Sequence, residues 1–179
     1  MALFGSDPKS QDKPDKPAVP KSIFSTAAAY TPFNIEKLAD RFRYRDLGWT
    51  IPEAYLAILF LAADADGQFK QEEREEIEIT ARRSPALRAL LLNNELGVHE
   101  QSALNKIAQD KQAALNEACL TLPEDMCLSV FAHCVDLMLA DGDFSKLEQE
   151  WIEALYPKLA ISEEYARRIV EVLLLKGRY

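Results

Sequence analysis

From position 34 onward, apolar residues return every three or four positions, and no stretch keeps the two-residue alternation of a strand. Asn34 can cap a short helix running to Asp40. Pro52, at a first-turn position, opens the run Glu53 to Ala63, which is apolar on almost every side. A helix of that kind belongs in the centre of a fold. Gly67 is expected to end it in the left-handed conformation. Gln71 to Ala81 forms a second, highly charged helix, and Ser84-Pro85 cap and start a third. Gly97 to Thr121 reads as helices with softer boundaries. Pro123 opens Glu124 to Ala140, Gly142 stops it, and Ser145 to Leu159 follows. Ser162 caps a last helix that reaches Lys176, with Gly177 beyond. The pattern predicts an all-α fold, a compact helical bundle of about seven to nine helices.

Two stretches repeat one another. Asp66-Gly67-x-Phe69-x-x-x-Glu73 returns as Asp141-Gly142-x-Phe144-x-x-x-Glu148, an offset of 141 − 66 = 75 residues, and Ile77 is matched by Ile152. Each copy follows an apolar helix that begins Pro-Glu, at Pro52-Glu53 and Pro123-Glu124. The chain therefore reads as a duplicated helix–turn–helix unit. In each copy the Phe is expected to pack back on the core. The Glu lies one turn before the Ile on the same helix face, at the edge of the buried stripe.

Residues 1–33 lack this patterning. The first 21 hold four of the nine prolines, interleaved with Lys9, Lys13 and Lys16 and with Asp7, Asp12 and Asp15. Such a segment buries too little apolar area to offset its ordering entropy, so 1–33 is expected to be a disordered or extended tail and 34–179 the helical domain.

Charge sharpens the picture. The chain carries 21 − 29 = −8, and the first 21 residues contribute 4 − 3 = +1, so the acidity belongs to the domain. That argues against a nucleic-acid partner, which calls for a basic stripe. With only 6 glycines, a Gly-rich phosphate cradle is not expected, and no P-loop or GxSxG motif occurs. Cys119, Cys127 and Cys134 form neither a disulfide framework nor a CxxC motif. Met1-Ala2-Leu3-Phe4-Gly5 shows no basic stretch leading into an apolar core, and the longest apolar run is about half the ~20 residues of a membrane span. A cytoplasmic protein with free thiols and no transmembrane segment is the expectation. His133 sits within an apolar helix whose Phe131, Cys127 and Cys134 read as core, and His99 reads as surface.

The four repeated carboxylates admit three readings. Ser145-Lys146-Leu147-Glu148 matches the capping box, and Asp141 can make an Asx turn, so both can be folding devices. Lys70 stands where Ser145 stands, and a lysine side chain cannot accept that capping bond. Alternatively, Asp66, Glu73, Asp141 and Glu148 supply oxygen ligands to a divalent cation, calcium or magnesium. The third reading is an acid/base pair for catalysis. An EF-hand is rejected, because Ala62 falls at the first ligand position and Lys70 at the ninth.

The doubled Ala65-Asp66-Gly67-x-Phe69-x-x-x-Glu73 and Ala140-Asp141-Gly142-x-Phe144-x-x-x-Glu148, with the ending Ile169-Val170-Glu171-Val172-Leu173-Leu174-Leu175-Lys176, resembles the tellurite-resistance TerB-like family over roughly residues 50–178. The resemblance implies a duplicated all-helical domain and acidic clusters that bind metal, carried here by Asp66, Glu73, Asp141 and Glu148. It also implies a non-enzymatic stress-response module, working with other proteins in membrane-associated complexes. The alternative is a protein-interaction scaffold in which the Asp-Gly turns are purely structural.

Overall fold

A computed structural model describes residues 48–91, 95–140 and 144–177. Among them are eight helices and no strand: α1 (Ile51–Ala63), α2 (Gln71–Arg83), α3 (Pro85–Leu90), α4 (Leu96–Gln109), α5 (Lys111–Thr121), α6 (Glu124–Met138), α7 (Lys146–Lys158) and α8 (Glu163–Lys176). The all-α bundle expected from the pattern is the fold observed. The expected tail 1–33, the helix from Asn34 to Asp40, and Asp141 and Gly142 lie outside the described residues.

α1 is the hub. Every one of its residues except Glu53 is buried. It packs against α4, α5 and α6 and also meets α2. Full burial of a Leu, Ile or Phe side chain stabilises by about 1.5–3 kcal/mol, and Leu56, Ile58 and Leu59 are each fully buried. Leu56→Ala at this fully buried position is expected to cost about 2–5 kcal/mol. Thr50, not Pro52, sets the start: its hydroxyl accepts from the Glu53 N–H at 3.3 Å, and Glu53 accepts from the Thr50 N–H at 3.0 Å. Pro52 occupies the first turn, where its missing N–H has no helical partner to lose.

The end of α1 differs from expectation. The helix stops at Ala63, Asp64 donates its N–H to Phe60 O at 3.1 Å, and two tight turns follow. Gly67, with φ +78, takes the left-handed conformation only at the close of the second turn, where its N–H meets Asp64 O at 3.0 Å. It is a turn residue and not the helix cap. α6 likewise ends at Met138, before Ala140.

Between the two repeat units, Asp110 separates α4 from α5: its carboxylate accepts from the N–H groups of Gln112 and Ala113, both at 2.9 Å. α7 ends in a Schellman turn in which Ile161 N–H reaches Tyr156 O at 3.0 Å and Ala160 stands at φ 55. Ser162 caps α8, which leans on α6 and α7. No described helix is long and apolar enough to cross a membrane.

Candidate functional site

From Phe69 and Phe144 onward the two repeats can be compared residue by residue. Lys70 and Ser145 are the N-caps of α2 and α7, both in extended conformation. In each, the Glu three residues later turns back on the cap: Glu73 Oε2 accepts the Lys70 N–H at 2.6 Å, and Glu148 Oε2 accepts the Ser145 N–H at 2.7 Å. Only the second unit has the other half of the box, with Ser145 Oγ accepting from the Glu148 N–H at 3.2 Å. The lysine at position 70 therefore does not prevent capping, because the reciprocal bond needs only a backbone N–H at that place.

Both glutamates are half-buried, and Ile77 and Ile152 one turn on are buried, so the phase read from the repeat holds. Asp66 is exposed and accepts the Gln68 N–H at 2.8 Å, a local Asx turn. Asp64, next to it, pairs with Lys111. Phe144 packs on the core, while Phe69 is 40% exposed and meets the edge of Phe60 with ring centroids 5.8 Å apart. Among the described residues no group of three His, Cys, Asp or Glu side chains is placed to hold a metal ion, and Asp141 lies outside them.

The structure assembles other polar clusters across large sequence separations. Tyr55, fully buried on α1, places its hydroxyl 2.6 Å from His133 Nδ1 and 3.0 Å from Ser129 Oγ on α6. Burial pushes the Tyr55 phenol far above its ordinary range and holds the His133 imidazole below 6.5, with Asp136 opposing and Lys176 adding to that shift. A neutral imidazole can accept the Tyr55 proton at Nδ1, while the phenol oxygen accepts from Ser129. Beside them, Lys176 donates to both carboxylate oxygens of Asp136 at 2.7 Å. His133, Asp136 and Lys176 line a cavity of about 420 Å³.

At the start of α1, Lys106 donates to Glu53 Oε2 at 3.0 Å and to Gly48 O, and lies 4.2 Å from the Trp49 ring centre. Trp49 Nε1 donates to Glu117 at 2.8 Å. Burial alone would raise the Glu53 carboxyl, but the Thr50 N–H and Lys106 outweigh it and hold it below 4.5. His99, expected at the surface without a partner, is half-buried, with Nδ1 3.3 Å from Thr50 Oγ1. Glu100 is 5% exposed; Arg74 lies 3.5 Å from its Oε2, and its Oε1 has no partner. The three thiols are all buried. Burial pushes Cys119 to about 12 and Cys127 to about 11, so they stay protonated and unreactive in the core.

The Tyr55 contacts fasten α1 to α6 and the Glu53–Lys106 pair fastens it to α4, while Arg74 and Glu100 join α2 to α4. A groove of about 720 Å³ lies elsewhere, bounded by α6, α7 and α8. No signal in the local pattern points to it, because it depends on how far α8 stands from α7. Comparison with known proteins gives no match to a family model, a curated protein or a solved structure.

Proposed function

We propose that this chain is a TerB-like, non-enzymatic module that works by docking another protein, with its Asp-Gly turns serving as folding devices. The observation that carries the reading is α8. Of its residues only Ala166 is buried, and Val170 and Leu174, the latter 37% exposed, open onto the groove bounded by α6, α7 and α8. Apolar surface gathered on one element marks an interaction site more often than a solvated face. The two turns support the reading from the other side. Glu73 and Glu148 each commit one carboxylate oxygen to a helix N-terminus, and Asp66 commits one to a local turn. A role in a stress response of the tellurite-resistance type goes with the same family reading, and a cytoplasmic setting goes with the three free thiols.

The other form of that reading is a calcium or magnesium ion held by Asp66, Glu73, Asp141 and Glu148. Calorimetric titration of the full chain with calcium, magnesium, manganese and zinc separates the two. The expected result is no saturable heat from any of them. Saturable binding in the native chain that disappears in Asp66→Asn plus Asp141→Asn overturns structural turns and restores the cation.

A further inference from the structure

The groove between α7 and α8 has an apolar floor and a charged rim. Phe131, Ile152 and Ala166 are buried at its base, and Val170 and Leu174 form the α8 wall. The α8 positions that line it, 163, 166, 167, 170, 171 and 174, recur at helical spacing, so the helix presents one continuous stripe to the opening. Its volume, about 720 Å³, falls in the range of roughly 300–1,000 Å³ typical of ligand-binding clefts. Around the floor stand Glu153 from α7 and Glu163 and Glu171 from α8, against Arg167 alone, which leaves the rim at 1 − 3 = −2.

That charge selects the occupant. A second copy docked face to face by a twofold axis would bring the same acidic rim against itself. Like charges across an interface suppress that pairing. A helix with apolar residues on one face and lysines or arginines beside them matches both floor and rim, in the helix-in-groove mode of peptide recognition.

Resting on the docking-module reading above, we propose that the α7–α8 groove binds a basic amphipathic helix of a partner protein. The apolar face of that helix fills the space over Ile152, Ala166 and Val170, and its basic flanks meet Glu153 and Glu171. Binding weakens as salt rises, because the rim charges are exposed and screened.

The test uses the full chain and a fluorescent synthetic peptide of about five helical turns, with leucines on one face and lysines on the other. Saturable binding is expected in fluorescence anisotropy. Glu153→Lys plus Glu171→Lys is expected to weaken it about tenfold. Val170→Asp removes it, and a peptide with glutamates for lysines does not bind. Val172→Lys leaves binding unchanged, because Val172 is 64% exposed and outside the groove. Circular dichroism confirms that each variant keeps the native helix content. Absence of peptide binding, binding indifferent to both the rim and floor variants, or binding lost in Val172→Lys overturns the proposal. So does sedimentation showing that the native chain self-associates and that Val170→Asp abolishes it, since the groove would then hold a second copy. A silent cation titration alongside any of these results removes the groove and leaves the structural turns standing, whereas saturable cation binding at the turns removes the parent reading.

Discussion

Tyr55→Phe deletes one oxygen from the centre of the molecule and leaves the ring in place. Tyr55 is fully buried, and its hydroxyl is the link between α1 and α6 through His133 at 2.6 Å and Ser129 at 3.0 Å. Ser129 is exposed and can turn to water. His133 is half-buried, and its Nδ1 loses a partner that water replaces poorly. A net hydrogen bond is worth about 0.5–1.5 kcal/mol, and an orphaned buried group costs about 1–3. With one of the two partners recovering water, the expected loss is about 2 kcal/mol, or about 4–8 °C in Tm for a chain of this size.

The same contact has a pH signature. Burial holds the His133 pKa below 6.5 in the folded protein, so the unfolded chain binds the proton more readily. The stability this group contributes is therefore present above 6.5 and is lost as pH falls from there through the lower folded value. The assay is urea unfolding of the native chain, Tyr55→Phe and His133→Gln at several pH values between about 8 and 5. The stability advantage of native protein over His133→Gln should shrink as pH falls across that window. A Tyr55→Phe variant within about 0.5 kcal/mol of native at the high end, or an advantage over His133→Gln that stays flat with pH, would falsify the assignment.

The remaining expectations concern the turns and the buried acid. Glu73→Ala and Glu148→Ala should each cost about 0.5–2 kcal/mol in chemical denaturation; Ser145→Ala should add to the loss at α7, while Lys70→Ala should leave the α2 cap in place, because the Lys70 contribution to capping is its backbone N–H. Gly67→Ala should destabilise by about 1–2 kcal/mol, and Ala160→Gly should stabilise by a similar amount, since both sites have positive φ; equal melting temperatures for the two variants would contradict this. Glu100→Gln should raise stability at neutral pH. Burial, with Glu78 adding and Arg74 opposing, raises the Glu100 carboxyl above 4.5, so its stabilising share is present below that value and lost as pH rises through the folded one. The gain from Glu100→Gln should therefore vanish in acid, and a gain independent of pH would count against the assignment.

The helices were legible where local chemistry marks them. Ser84-Pro85, Ser145 and Ser162 each stand at the start they announce, and the run from Ala54 to Ala63 is as buried as its composition requires. The Asp110 boundary was less legible, because it carries neither Gly nor Pro and works through a single carboxylate. Gly67 marked a left-handed residue correctly but not the end of its helix, since the chain inserts two turns before reaching it. The repeat placed Glu73 and Glu148 in phase with the core. The capping role of Glu73 at Lys70 was hidden because the identity of the side chain there is irrelevant to it, whereas the Ser145–Glu148 box was legible. Tyr55 and His133 are 78 residues apart, and the groove joins α6, α7 and α8. No window of sequence reports on such pairings, which arise only when apolar faces are packed together.

The most direct measurement of the account is an amide NMR map of the full chain, titrated first with calcium and then with the leucine–lysine peptide. The expected result is no saturable calcium shift at Asp66, Glu73 or Glu148, followed by peptide shifts centred on Ile152, Ala166 and Val170. Saturable calcium shifts centred on Asp66 and Glu73 and repeated at Glu148, with the groove silent to the peptide, would contradict it.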